Sequence, residues 1–139
     1  MAAIVPSNTA SASLVDALRG VLVQYPEVRL AILFGSQVTG ATHAESDVDV
    51  AYLGHCTDSL RLAAHLSRVC SRDVDLVSLD DPSFPLLEEV IRDGILIHET
   101  APNVYSAWRS HALSTLDLDR TWYYRMRDAW LKSVAEKGL

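Results

Sequence analysis

Between Val28 and Val50 the chain passes from an apolar run, Val28 to Phe34, through Gly35-Ser36, to a second run that opens Asp47-Val48-Asp49-Val50. The first run is short, apolar apart from Arg29, and closed by glycine, which predicts a buried strand. Asp47 to Leu53 predicts a second. At Gly35 the missing side chain lets backbone and ligand approach closely. Ser36 to Gly40 is long enough for a single helical turn, and Ser36 stands at its start. Free backbone N–H groups point out of such a turn, and its dipole favours a phosphate. Residues i and i+2 of a strand face the same way, so Asp47 and Asp49 project from one face beside that turn.

Asp75 supplies a third acid. It lies in Val74-Asp75-Leu76-Val77, a β-prone run able to sit alongside the second strand. Convergence of three carboxylates is unfavourable without a cation. At an effective dielectric near 20, each pair ~5 Å apart repels by ~3 kcal/mol. Three such pairs approach the whole stability of a small domain, ~5–15 kcal/mol. Hard divalent cations with oxygen ligands offset this, and Mg²⁺ favours carboxylates shared with substrate phosphates. Two such ions can clamp the attacking and leaving oxygens of an in-line displacement at phosphorus.

The remaining segments predict a frame for these residues. Leu14, Ala17, Leu18, Val21 and Leu22 recur at helical spacing, after a flexible arm and ahead of Pro26, which stops the helix. Thr57 reads as the cap of a helix reaching Cys70, with Leu60, Ala63, Ala64, Leu66 and Val69 on its buried side. Asp73 to Leu79 reads as a third strand. Pro85 to Asp93 reads as a helix with Gly94 as its C′ stop, and Ile95 to His98 as a fourth strand. A helix starting at Thr100 and another starting near Asp117 complete the chain. The expected fold is α+β: a small mixed β-sheet, helices on one face, and a helical C-terminal extension. Residues 1–100 form the core and residues 101–139 the extension of the same domain. Trp122, Met126 and Trp130 form one helical stripe, read here as packing on the domain rather than as a patch for a partner.

Charge narrows the partners. Residues 1–100 carry 14 acids against 6 arginines, a balance of −8, whereas residues 101–139 carry 4 acids against 6 bases, a balance of +2. The acidic part argues against direct nucleic-acid binding through phosphates. It permits a cation site and a basic protein partner. The five histidines show no zinc spacing, and His43 reads as a surface-loop residue. Cys56 and Cys70 fit neither a metal site nor a disulfide framework, so the expected compartment is reducing and cytoplasmic. No apolar run reaches a membrane span of ~18–20 residues.

Gly35-Ser36, ten residues, then Asp47-x-Asp49 resembles the signature of the DNA polymerase β nucleotidyltransferase superfamily, and the small size resembles its minimal nucleotidyltransferase branch. Asp75 matches that family's third acid, which follows an apolar residue on the next strand. Asp73 sits two residues earlier, but the following Leu76-Val77 favours Asp75. Pro85-Leu86, Val90-Ile91, Gly94 and Glu99 are similar to this branch too, so the resemblance covers about residues 15–100. It implies a polymerase β-like nucleotidyltransferase fold, with Gly35 and Ser36 holding the triphosphate of ATP. It implies that Asp47 and Asp49 each bind metal, two Mg²⁺ ions in all. Asp75 would complete the site that activates the acceptor hydroxyl and act as its base. One departure stands out: many relatives carry a basic residue where this chain has Thr39, and some have one at Gln37. Phosphate contacts then fall to the backbone, the metals or a distant arginine.

Many minimal nucleotidyltransferases are antitoxins paired with HEPN-domain ribonuclease toxins. The resemblance therefore implies transfer of AMP from ATP to a toxin tyrosine, and a hetero-oligomer with the toxin. Two alternatives stay open. One is a small-molecule nucleotidyltransferase of the aminoglycoside-modifying kind, with the same chemistry and another acceptor. The other is a non-catalytic module that silences a toxin by binding, motivated by Thr39 and the aromatic tail.

Overall fold

The computed structural model describes residues 9–35 and 47–138. Helix α1 (Thr9–Leu22) leads to strand β1 (Val28–Phe34). Then follow β2 (Val48–Gly54), α2 (Ser59–Cys70), β3 (Val74–Ser78), α3 (Phe84–Asp93), β4 (Ile95–Glu99) and α4 (Val104–Glu136). The strands form one mixed sheet in the order β3-β2-β1-β4. β1 is antiparallel to both its neighbours, while β2 and β3 are parallel. Parallel neighbours need a crossover connection, and α2 supplies it.

β1 is central, and only Arg29 along it is exposed. The unbroken apolar run from Leu30 to Phe34 is what a strand covered on both faces requires. Ala31 and Leu33 pack with Val15, Leu18, Leu62 and Leu66 of α1 and α2. Leu30, Ile32 and Phe34 pack the other way, with Val90 of α3 and Tyr105 of α4. Leu18, Leu30, Leu33, Leu62 and Leu66 are fully buried, each contributing ~1.5–3 kcal/mol of transfer free energy. The expected mixed sheet and helical extension are present. The helices, however, flank both faces of the sheet rather than one, because the two apolar faces of β1 both need cover.

α1 is described from Thr9, so residues 9–12, expected to belong to the flexible arm, are helical, and the earlier residues of that arm lie outside the described ones. Asp58, not Thr57, caps α2: its carboxylate accepts from the Arg61 N–H at 3.0 Å. The buried stripe of α2 is Leu62 and Leu66, while Leu60 is 82% exposed. Ser83 caps α3, accepting from the Leu86 N–H, with Pro85 in the first turn. Gly94 ends that helix with φ −69°, not in the left-handed conformation of a C′ glycine. Glycine is needed there for space: a Cβ would run into the Val90 carbonyl oxygen and Ile32 Cγ2.

The two helices expected after Thr100 are one helix of 33 residues, roughly 50 Å long. No proline or glycine interrupts residues 104–136. Thr100 still belongs to the sheet edge, donating its N–H to the Arg29 carbonyl, and the turn into α4 is made by Asn103 at φ 71°. Among the described residues, no helix is long and apolar enough to cross a membrane.

Candidate active site

The end of β1 and the start of β2 meet at one pair: Phe34 stands opposite Asp49. The chain leaves β1 through Gly35 at φ +82°, in the left-handed region. A Cβ on Gly35 would collide with the Asp49 carboxylate. Glycine is therefore required twice, for its backbone and for the space that Asp49 fills. The close approach expected here is thus made first by a carboxylate of the chain.

β3 then fixes the next neighbour. In the parallel register Asp49 stands opposite Asp75, and Val48 opposite Val74. Neighbouring strands lie ~4.8 Å apart. The valines turn into the core with α1 and α2, so the aspartates share the opposite face. Asp75, rather than Asp73, is the acid beside Asp49. Asp73 contributes backbone, its carbonyl accepting from the Val48 N–H at 2.9 Å. Asp47 and Asp75 are exposed and Asp49 is half-buried.

Burial and three carboxylates act on Asp49 in the same direction. Its carboxyl is raised above the ordinary 3.8, first by burial, then by the charges of Asp75, Glu89 and Asp47. Glu89 comes from α3, and no sequence motif marks it. Its neighbour Val90 packs in the same cluster as Phe34 and Ala51. That placement carries Glu89 toward Asp49, and it is visible only once α3 is known to cover this face. Ser36, Gln37, Thr39 and His43 lie outside the described residues.

Among the described residues, no three His, Cys, Asp or Glu side chains are closed around a metal position. The aspartates are neighbours on one face and not a finished cage. Their chemistry nevertheless suits Mg²⁺: the donors are all carboxylate oxygens, and every influence that raises Asp49 is one that a hard cation would offset.

The family model described as Polymerase beta, Nucleotidyltransferase matches residues 16–103, ending just before α4. The chain belongs to the polymerase beta nucleotidyltransferase family. Over 73 residues it is 38% identical to the protein adenylyltransferase MntA of Shewanella oneidensis, a match covering 50% of this chain and 52% of that protein. The chain thus spans about half the length of this curated relative. A crystal structure of a toxin–antitoxin with AMP-PNP contains a chain of the same fold. It has a TM-score of 0.68 and 25% identity, covering 84% of this chain and 98% of that one. A tri-AMPylated HEPN toxin of Shewanella oneidensis in complex with MNT antitoxin gives a TM-score of 0.58 at 23% identity, covering 87% of this chain and 96% of that one. That second likeness is one of fold.

Proposed function

We propose that the chain is a Mg²⁺-dependent protein adenylyltransferase that moves AMP from ATP to a tyrosine hydroxyl of a HEPN-type toxin, and acts as its antitoxin. The observation that carries this reading is Asp49 standing beside Asp75 and against Gly35 in a member of this family. The identity to a protein adenylyltransferase and the likeness to a toxin–antitoxin with AMP-PNP support the acceptor class and the nucleotide. A cytoplasmic site of action accompanies this reading, supported by the free thiols of Cys56 and Cys70.

Gly35 and Ser36 receive the triphosphate, Gly35 by presenting backbone with no side chain in the way. Asp47, Asp49 and Asp75 would hold Mg²⁺, which when bound supplies charge neutralisation and Lewis acidity at the phosphates. The acceptor oxygen forms a bond to the α-phosphorus, the bond from that phosphorus to pyrophosphate breaks, and Asp75 takes the hydroxyl proton. The sheet's part is positioning: β2 and β3 hold the backbones of Asp49 and Asp75 at fixed spacing, so only the side chains have to close on the ion.

The test is incubation with Mg²⁺, α-labelled ATP and a HEPN-domain toxin, resolved on a denaturing gel. The HEPN protein is expected to gain label. Asp47→Ala and Asp49→Ala should each lower the rate by ~100-fold or more, since several kcal/mol of charge stabilisation are lost. Transfer at the wild-type rate in the double variant would sink the reading. Binding-only silencing is the second reading, favoured by the exposed apolar stripe on α4. A double variant that still silences the toxin in cells while transferring nothing would establish it.

A further inference from the structure

We propose that the C-terminal half of α4 is the docking arm for the acceptor protein, and that it takes a helical surface whose apolar groove is bordered by carboxylates. This deepens the function proposed above and rests on its reading that the acceptor is a protein. Leu118 is 81% exposed, Trp122 64%, Met126 50% and Trp130 63%. They recur every fourth residue and so form one stripe along the helix. The core holds α4 as far as Tyr124: Tyr123 stacks on Phe84 at 4.5 Å, and the Tyr124 hydroxyl donates to Glu88 at 3.0 Å. From Arg125 to Lys132 every residue is exposed. Two tryptophans this open present on the order of 300 Å², the level at which an apolar patch on a monomer marks an interaction site. A helical stretch this short, with nothing packed on it, is marginal by itself.

Charge selects the occupant. At 3.6 residues per turn, Arg125 and Lys132 fall along one border of the stripe, whereas Arg120 and Arg127 lie farther round the helix, on the side of Tyr124. Arg120 and Arg127 also make exposed pairs within the chain, to Glu88 and Asp117 and to Asp128. Such pairs are weak and exchange readily. A second copy of the chain would set this basic border against its own equivalent, because a two-fold interface is self-facing. A groove rimmed by Asp or Glu on that side instead pairs with Arg125 and Lys132 while its apolar floor takes the tryptophans. Trp122 also lines a groove of about 220 Å³ together with Tyr123, Phe84 and Leu87. α3 links this surface to the acids: Glu88 holds Tyr124, and the next residue, Glu89, acts on Asp49.

The experiment measures affinity for the same HEPN-domain protein, and the KM and kcat of transfer to it. The variants are Trp122→Ser/Trp130→Ser and Arg125→Glu/Lys132→Glu. The tryptophan variant should bind at least roughly 30-fold more weakly, the effect of one aromatic hot spot. Its KM for the acceptor should rise while kcat and ATP binding stay unchanged. The charge variant should bind more weakly and show a flatter dependence on salt. Hydrogen exchange over residues 118–134 should slow in the complex. Wild-type affinity in the tryptophan variant overturns the inference, as does dimerisation of the chain through these tryptophans, or a wild-type chain that does not bind the HEPN protein at all. The proposed function fails separately: a chain that docks through the arm and transfers no label keeps the arm and loses the reaction.

Discussion

Asp49 is half-buried among Asp75, Glu89 and Asp47, and its carboxyl is raised by burial and by all three. The unfolded chain loses the Asp49 proton near the ordinary 3.8, whereas the folded chain keeps it to higher pH. Stability therefore grows as pH falls through the raised value toward 3.8, and the ionised form is the destabilising one. Asp49→Asn should raise Tm at pH 7 by on the order of 2 °C, since solvent screening limits the gain. Melts across pH should show the difference vanishing in acid, and excess Mg²⁺ should stabilise the wild type more than the variant. Gly35 gives the opposite sign. Gly35→Ala meets both the positive φ and the Asp49 carboxylate, with a left-handed penalty of about 1–2 kcal/mol before any collision is counted. Urea unfolding should report that loss, and label transfer should fall with it. In the sequence, spacing along a strand put Asp47 and Asp49 on one face, while Gly35 was marked by the backbone approach it allows and Asp75 by the family resemblance. No such signal marked Glu89, whose approach depends on where α3 lies.

At the scale of elements, β1 was legible to the residue, because a short run apolar but for Arg29 and closed by glycine reads as a buried strand. α2 was legible as a helix but not in its rotation. Three of its positions predicted as buried, Leu60, Ala64 and Val69, are exposed, and Leu62 takes their place beside Leu66. Leu60 and Leu62 are both leucine, so only contact with α1 and the sheet decides between them. Leu66→Ala should cost about 2–5 kcal/mol by leaving a cavity, whereas Leu60→Ala should stay within about 0.5 kcal/mol. Denaturant midpoints of the two variants check this directly. A large loss from Leu60→Ala would reverse the rotation assigned to α2.

For the whole molecule, the sheet and the first half of α4 form one body, and the second half of α4 stands away from it. Deleting residues 126–139 removes mostly exposed positions, so Tm should change by no more than about 2 °C. On the docking proposed above, affinity for a HEPN-domain toxin should collapse in the same variant. A large drop in Tm would mean that these turns brace the fold. The stripe of Trp122, Met126 and Trp130 was plain in the sequence, yet its expected packing on the domain is not what the structure shows. Helical periodicity says which residues share a side. Whether anything covers that side depends on how far the helix runs past its last support, at Phe84 and Glu88.

The sequence by itself determined the strands, the pairing of a glycine turn with Asp47 and Asp49, and the α+β class, since these follow from local spacing and the two-residue period of a strand. Tertiary structure alone decided that β2 and β3 run in parallel with Asp49 opposite Asp75, that both faces of the sheet are covered, and that Glu89 joins the acids. It also decided that α4 is continuous and bare at its end. Each of these is a contact between segments distant along the chain, and free energy from such contacts exists only once the segments are packed together.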